Sequence, residues 1–144
     1  MQAYDLAGSA VVANALDTPI ASGETEYTRY GFHDMLEKKS ADILMPDLER
    51  VGGVSEWLKV AHMAAAQDIP VSPHIFTEHS LQLCAAVSNV NYAEHMPWFT
   101  GLFKEKMELV DGDIIIPNRP GMSFSFDPDA CLLYTSDAAD DLLC

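Results

Sequence analysis

The chain has 144 residues, with 8 Lys+Arg against 22 Asp+Glu and a formal charge of −14. So little positive charge argues against nucleic acid and anionic membrane surfaces, which need clustered cations, and no apolar run reaches the length of a spanning helix. With 49% hydrophobic and 21% charged residues it can build the core of one ordinary domain.

In chain order, a first helix is expected over residues 6–16. Residues 18–23 (TPIASG) form a short apolar run that reads as a strand. The helix expected over 27–39 carries Phe32, Met35 and Leu36 on one face. A second strand follows at 43–46 (ILMP). Val54, Trp57, Leu58, Ala61 and Ala65 then recur at 3, 4, 7 and 11 residues from the first. That spacing places them on one helical face, with Glu56, Lys59 and His62 outside it. A third strand is expected at 70–73 (PVSP). Leu81, Cys84, Ala85 and Ser88 mark the next helical face. The fourth strand, 90–93 (VNYA), carries the weakest signal. After Trp98 the pattern changes: 107–110 and 114–116 flank Asp111-Gly112-Asp113, which reads as a β-hairpin.

Strands that alternate with helices predict a parallel sheet. Two architectures remain, an open doubly wound sheet or part of a (β/α)-barrel. A complete barrel takes about 250 residues, and four strands make half of one. The expected fold is α/β, either an open sheet or an incomplete barrel, with a hairpin that leaves it. The expected division is 1–100 for the partial barrel, 101–130 for the hairpin and return segment, and 131–144 for a tail. That tail, CLLYTSDAADDLLC, lacks Lys, Arg, Gly and Pro and reads as non-native.

The N-terminus has no basic region followed by a long apolar stretch, so no signal peptide is expected. The three cysteines form no CxxC or Cys/His metal spacing, and Cys84 reads as a buried small hydrophobe. A reducing, cytoplasmic setting is expected.

Each strand ends in an ionisable residue: Glu24, Asp47, His74 and Glu94. In a barrel those ends converge on one mouth, where active sites form. A strand-end carboxylate can equally cap the next helix, and Glu24, Asp47 and Glu94 all sit where they could. Four in succession favour a site. No P-loop, GxGxxG, GxSxG or HExxH motif competes.

The segments PIASGE (19–24), ILMPDLERVGGVSEWLKV (43–60), PVSPH (70–74) and YAEHM (92–96) resemble the enolase superfamily. The likeness is to the mandelate racemase/muconate lactonizing enzyme family, mandelate-racemase-like subgroup, and it covers roughly residues 1–130. The separations between the four ionisable residues, 23, 27 and 20 positions, suit the fifth to eighth barrel strands of that family, so the resemblance implies the C-terminal half of a TIM-like (β/α)-barrel. By this resemblance Glu24 helps bind Mg²⁺, a hard cation suited to oxygen ligands. Asp47 and His74 form a dyad in which the carboxylate orients an imidazole that gives or takes a proton. Glu94 is the acid that hydrogen-bonds the substrate carboxylate as an enediolate develops.

The resemblance implies a Mg²⁺-dependent dehydratase of aldonates or aldarates, a hydro-lyase whose substrate is a small carboxylate and whose intact form is a homo-oligomer. The alternative is a racemase or epimerase of a 2-hydroxy acid. From other classes come a non-catalytic or self-pairing half-barrel, and a flavodoxin-like binding module, against which the absent phosphate loop counts.

The family also uses a Lys pair on strand two and metal carboxylates on strands three and four, and this sequence begins after them. Lys38, Lys39 and Lys59 lie on expected helices and do not match. Mg²⁺ is therefore expected to bind this chain weakly if at all, and the chain alone is expected to be inactive. The capping domain is mostly absent, and the hairpin reads as the return to it. His62, His33 and His79 read as ordinary helix residues, whereas His95 is placed to line the mouth. Gly52-Gly53, beside Arg50, read as permitting tight backbone geometry.

Overall fold

The computed structural model describes residues 4–134. Helix α1 (Leu6–Ala15) is capped by Asp5, whose carboxylate accepts the Gly8 N–H at 2.8 Å. Strand β1 (Ala21–Ser22) leads to α2 (Thr28–Lys38), which buries Phe32, Met35 and Leu36. Lys39 closes α2 in the left-handed conformation, returning its N–H to Leu36. Strand β2 (Ile43–Leu44), the one-turn α3 (Leu48–Val51), α4 (Val54–Ala65) and α5 (Thr77–Ala86) follow.

The strands are shorter than the apolar runs suggest. Residues 70–73 and 90–93 contribute single bridges, at Val71 and Val90, rather than ladders. Pro19, Pro46, Pro70 and Pro73 lie in these runs, and proline has no N–H to give a ladder.

The pairing order decides the architecture. Ala21 pairs with Ile43 and Ser22 with Leu44, then Leu44 with Val71 and Val71 with Val90, all parallel. Each strand lies beside its predecessor and the order never reverses. A doubly wound sheet reverses at a switch point and carries helices on both faces. Here successive crossover helices α2 and α4 pack against each other. The result is four staves of a (β/α)-barrel, not closed, and not an open flavodoxin-like sheet.

The core lies between the staves and their helices: Phe32, Leu44, Val51, Trp57, Val60, Ala61, Ala64 and Val71 are completely buried. On α4 the buried face is Trp57, Val60, Ala61 and Ala64, a rotation from the expected one. Val54 is 45% exposed, and Leu58 and Ala65 are only partly covered. The helix has two adjoining apolar stripes, and only docking selects one. On α5, Leu81 and Cys84 are buried as expected. Ala85 and Ser88 are exposed, with Leu83 buried in their stead.

Beyond a 3₁₀ turn (Thr100–Leu102), β3 (Glu108–Val110) and β4 (Asp113–Ile115) form the hairpin, antiparallel with Leu109 opposite Ile114. Its two turn residues, Asp111 and Gly112, have φ of 52° and 93°. Positive φ at both is the type I′ geometry that Asp-Gly favours. The chain then returns, and Phe126 bridges Phe103. Helix α6 (Pro128–Tyr134) crosses the expected tail boundary, with Cys131 N–H donating to Asp127 at 2.9 Å. The remainder of the expected tail, 135–144, lies outside the described residues. Among the described residues no helix is long and apolar enough to cross a membrane.

Candidate active site

Each stave delivers its last residue to the same rim. The first does so through Gly23, whose φ is +123°. A Cβ there would meet the Phe32 ring at 2.7 Å. Only glycine permits that bend against the ring, and it leaves Glu24 at the rim with its side chain 55% exposed.

Asp47 is completely buried at the end of the second stave. One carboxylate oxygen accepts the N–H groups of Glu49 and Arg50, each at 2.9 Å, and so caps α3. The other lies 2.8 Å from Nδ1 of His74. One oxygen therefore caps the helix and the other meets the imidazole, so capping does not exclude the contact with His74. An ionised carboxylate only accepts, so Nδ1 carries the proton of this bond. That leaves Nε2 turned to the rim.

His74 is 8% exposed. Its Nε2 lies 3.0 Å from Glu24 and 3.7 Å from Glu94. Glu94 is fixed at three points. Its N–H donates to Pro73 at 3.3 Å, its carbonyl accepts the Thr77 hydroxyl at 3.0 Å, and its carboxylate accepts the Ile75 N–H at 3.3 Å. Ile75 and Phe76, with φ of 29° and 42°, form a strained turn directly after His74. Phe99 stacks on Phe76 at 4.8 Å between centroids and covers that turn.

The four residues singled out at the strand ends thus converge, with one imidazole ringed by three carboxylates. Arg50 is a cation nearby, and its guanidinium donates to the Glu24 carbonyl at 3.0 Å. A ring so oriented can pass a proton through Nε2 to whatever occupies the rim. Glu24 and Glu94 are the acceptors that face it.

A magnesium site is not complete here. Among the described residues no group of three or more His, Cys, Asp or Glu side chains is arranged to hold a metal ion. Glu24 offers a single exposed carboxylate, whereas Mg²⁺ demands octahedral oxygen coordination. The residues present do not by themselves fit the ion.

His95 does not line the mouth. It faces a groove of about 660 Å³ between α5, residues 90–93 and the hairpin, where its Nδ1 is buried without a hydrogen-bond partner. Cys84 lines the same groove, and burial pushes its thiol up to about 11. His62 is exposed as expected. His79 is more than an ordinary helix residue: it bonds Glu49 at 2.8 Å and meets Phe103 and Phe126 edge-on. The supporting groups Trp57 and Thr77 were legible only as helix residues, because nothing in their spacing reports the carbonyls that they reach.

Residues 1–130 match the family model described as enolase C-terminal domain-like. Over 131 residues the chain is 40% identical to the L-talarate/galactarate dehydratase of Salmonella typhimurium, a match that covers 90% of this chain and 33% of that protein. It is 32% identical to the arabinonate dehydratase of Saccharolobus solfataricus, covering 81% of this chain and 34% of the relative. The structure superimposes on L-talarate dehydratase from Polaromonas sp. JS666, solved with Mg and L-glucarate, with a TM-score of 0.85 and 36% identity. That superposition covers 91% of this chain and 37% of the other. The chain spans about a third of the length of the curated relatives it matches.

Proposed function

The chain belongs to the enolase C-terminal domain-like family, and from that premise we propose that it is the strand-five-to-eight part of a Mg²⁺-dependent acid-sugar dehydratase. The reaction removes the proton α to a carboxylate, passes through an enediolate, and expels the β-hydroxide as water. The resulting enol tautomerises to a 2-keto-3-deoxy acid.

The observation that carries this reading is the placement of His74 between buried Asp47 and the two rim carboxylates. Asp47 holds the Nδ1–H and so keeps Nε2 toward the substrate. His74 delivers a proton from Nε2 to the departing hydroxide, which would otherwise leave as a poor, charged group. Glu94, acting as an acid, donates a hydrogen bond to the substrate carboxylate, where charge develops as the α-proton leaves. Glu24 would supply one oxygen ligand to the Mg²⁺ of the intact enzyme, with the remaining ligands coming from elsewhere in it. Lys38, Lys39 and Lys59 sit on α2, its cap and α4, and the family's lysine base would be supplied from elsewhere in the intact enzyme.

The test is a chimera. Residues 1–130 replace the matching third of the Salmonella enzyme, and the folded product is assayed on its galactarate substrate. A 2-keto-3-deoxy product that disappears in His74→Asn supports the proposal. An inverted stereocentre without loss of water would favour the racemase alternative. A folded, Mg²⁺-loaded chimera inert toward every aldarate and aldonate offered would end both readings.

A further inference from the structure

We propose that Trp57 is a positioning residue for the Asp47–His74 pair and acts through the carbonyl of Pro46. The inference rests on the reading of that pair as the working dyad.

The indole of Trp57 is completely buried, and its Nε1–H donates to Pro46 O at 3.1 Å. The same oxygen accepts the backbone N–H of His74 at 3.4 Å. One carbonyl therefore meets both halves of the pair. It belongs to the peptide that joins Pro46 to Asp47, and it takes the main chain of His74. Pro46 has no N–H, so this oxygen is the only polar point at which the residue can be held. The His74 contact is long for an N–H···O bond, which leaves the shorter indole bond as the firmer hold.

The local fold makes this reach possible. Gly52 and Gly53 have φ of 112° and 86°, which turns the chain sharply between α3 and α4. The turn brings the first full turn of α4 back beneath the end of β2. Trp57 then packs with Val60, Ala61 and Ala64 on the buried face of the helix. A rigid ring anchored in the core is thereby tied to the peptide bond beside a buried carboxylate. Without the indole N–H, that oxygen keeps only the long contact to the His74 N–H, and the Asp47 carboxylate is held less firmly against Nδ1.

The experiment reads the pair without turnover. In the ¹⁵N-histidine-labelled chain at neutral pH, the bond from His74 to Asp47 should give a low-field Nδ1–H resonance. Asp47→Asn should abolish it. Trp57→Phe, which keeps an aromatic ring and removes the donor, should weaken or abolish it and speed exchange of that proton about tenfold or more. Val60→Ala, a cavity elsewhere on the buried face, should lower the unfolding midpoint and leave the resonance unchanged. Should Trp57→Phe not fold, benzothienylalanine at position 57 in a Trp98→Phe background supplies the indole shape without the N–H; Trp98 is 65% exposed.

A resonance that survives removal of the donor overturns the positioning role. A resonance that Val60→Ala also removes overturns it as well, because general loosening would then suffice. If Asp47→Asn changes nothing, the dyad itself falls, and the proposed function falls with it. If only the Trp57 variants change nothing, the dehydratase reading stands on its own assay.

Discussion

Asp47 divides its two oxygens between a helix and a ring: one caps α3 through Glu49 and Arg50, and the other holds His74 Nδ1 at 2.8 Å. The residue that starts the helix thereby also orients the imidazole, so one buried carboxylate ties a helix start to a strand-end ring.

That division separates two substitutions at the site. Asp47→Ala removes cap and ring contact together and should cost about 1 kcal/mol or more in stability from the cap alone. Asp47→Asn can keep the capping oxygen but turns an amide donor toward Nδ1–H. Urea unfolding should show the Asn variant as the more stable of the two. Both should lower turnover of the chimera about 10²- to 10⁴-fold. An Asp47→Asn chimera with parental kcat would remove Asp47 from the mechanism.

Gly23 sets the position of Glu24. Gly23→Ala places a methyl group 2.7 Å from the Phe32 ring at a φ of +123°. Strain at such a position costs about 1 to 3 kcal/mol. Thermal melts of the chain should show that loss, and the loss should be smaller when Gly23→Ala is made in a Phe32→Leu background, where the clash is relieved. Equal stability of Gly23→Ala and the parent would mean that the bend is not as tight as described.

Magnesium should bind residues 1–144 poorly. With Glu24 as the one carboxylate assigned to the ion, most of the coordination shell is left to water, so affinity on the order of millimolar or weaker is expected. Isothermal titration of the chain against the Salmonella enzyme measures the difference. Micromolar binding to the chain, lost in Glu24→Gln, would reveal a site that Glu24 builds with partners not recognised here.

Glu56 links α4 to α2. The Lys59 ammonium bonds it at 2.7 Å, the Arg29 N–H donates to it at 3.2 Å, and the Arg29 guanidinium pairs with it. Together these hold its carboxyl below the ordinary value of 4.5. A lowered folded-state value stabilises the fold above the ordinary carboxylate range, and the gain is lost as pH falls through the depressed value. The stability difference between the parent and Glu56→Gln should be constant near neutral pH and shrink below about pH 4.5. A difference that does not change with pH would show that the pair contributes nothing specific.

Much of the site was readable in advance because strand ends are marked by local chemistry. Pro46 before Asp47, Pro73 before His74 and Gly23 before Glu24 punctuate the runs, and the ionisable residue follows each time. The order of elements was equally plain, since apolar runs and helical spacing are properties of neighbouring residues. The depth of each helix face was not. Val54 and Leu58 are as apolar as Val60, and only contact with α2 and the staves selects which of them is covered.

His95 shows the same limit at the site. Its place beside Glu94 suggests the mouth, but it lines the groove between α5, residues 90–93 and the hairpin. Trp57 and Thr77 were invisible as site residues because their partners are backbone carbonyls 11 and 17 positions away.

Residues within a few positions of one another fix the alternation of strand and helix, the four ionisable strand ends and the Asp-Gly hairpin. Tertiary structure alone decided that the staves add in order without reversal, and that the four ends meet around one imidazole. It also decided that Asp47 serves a helix and a ring at once. Those facts depend on which distant backbone groups satisfy each other's hydrogen bonds, and no local pattern encodes that choice.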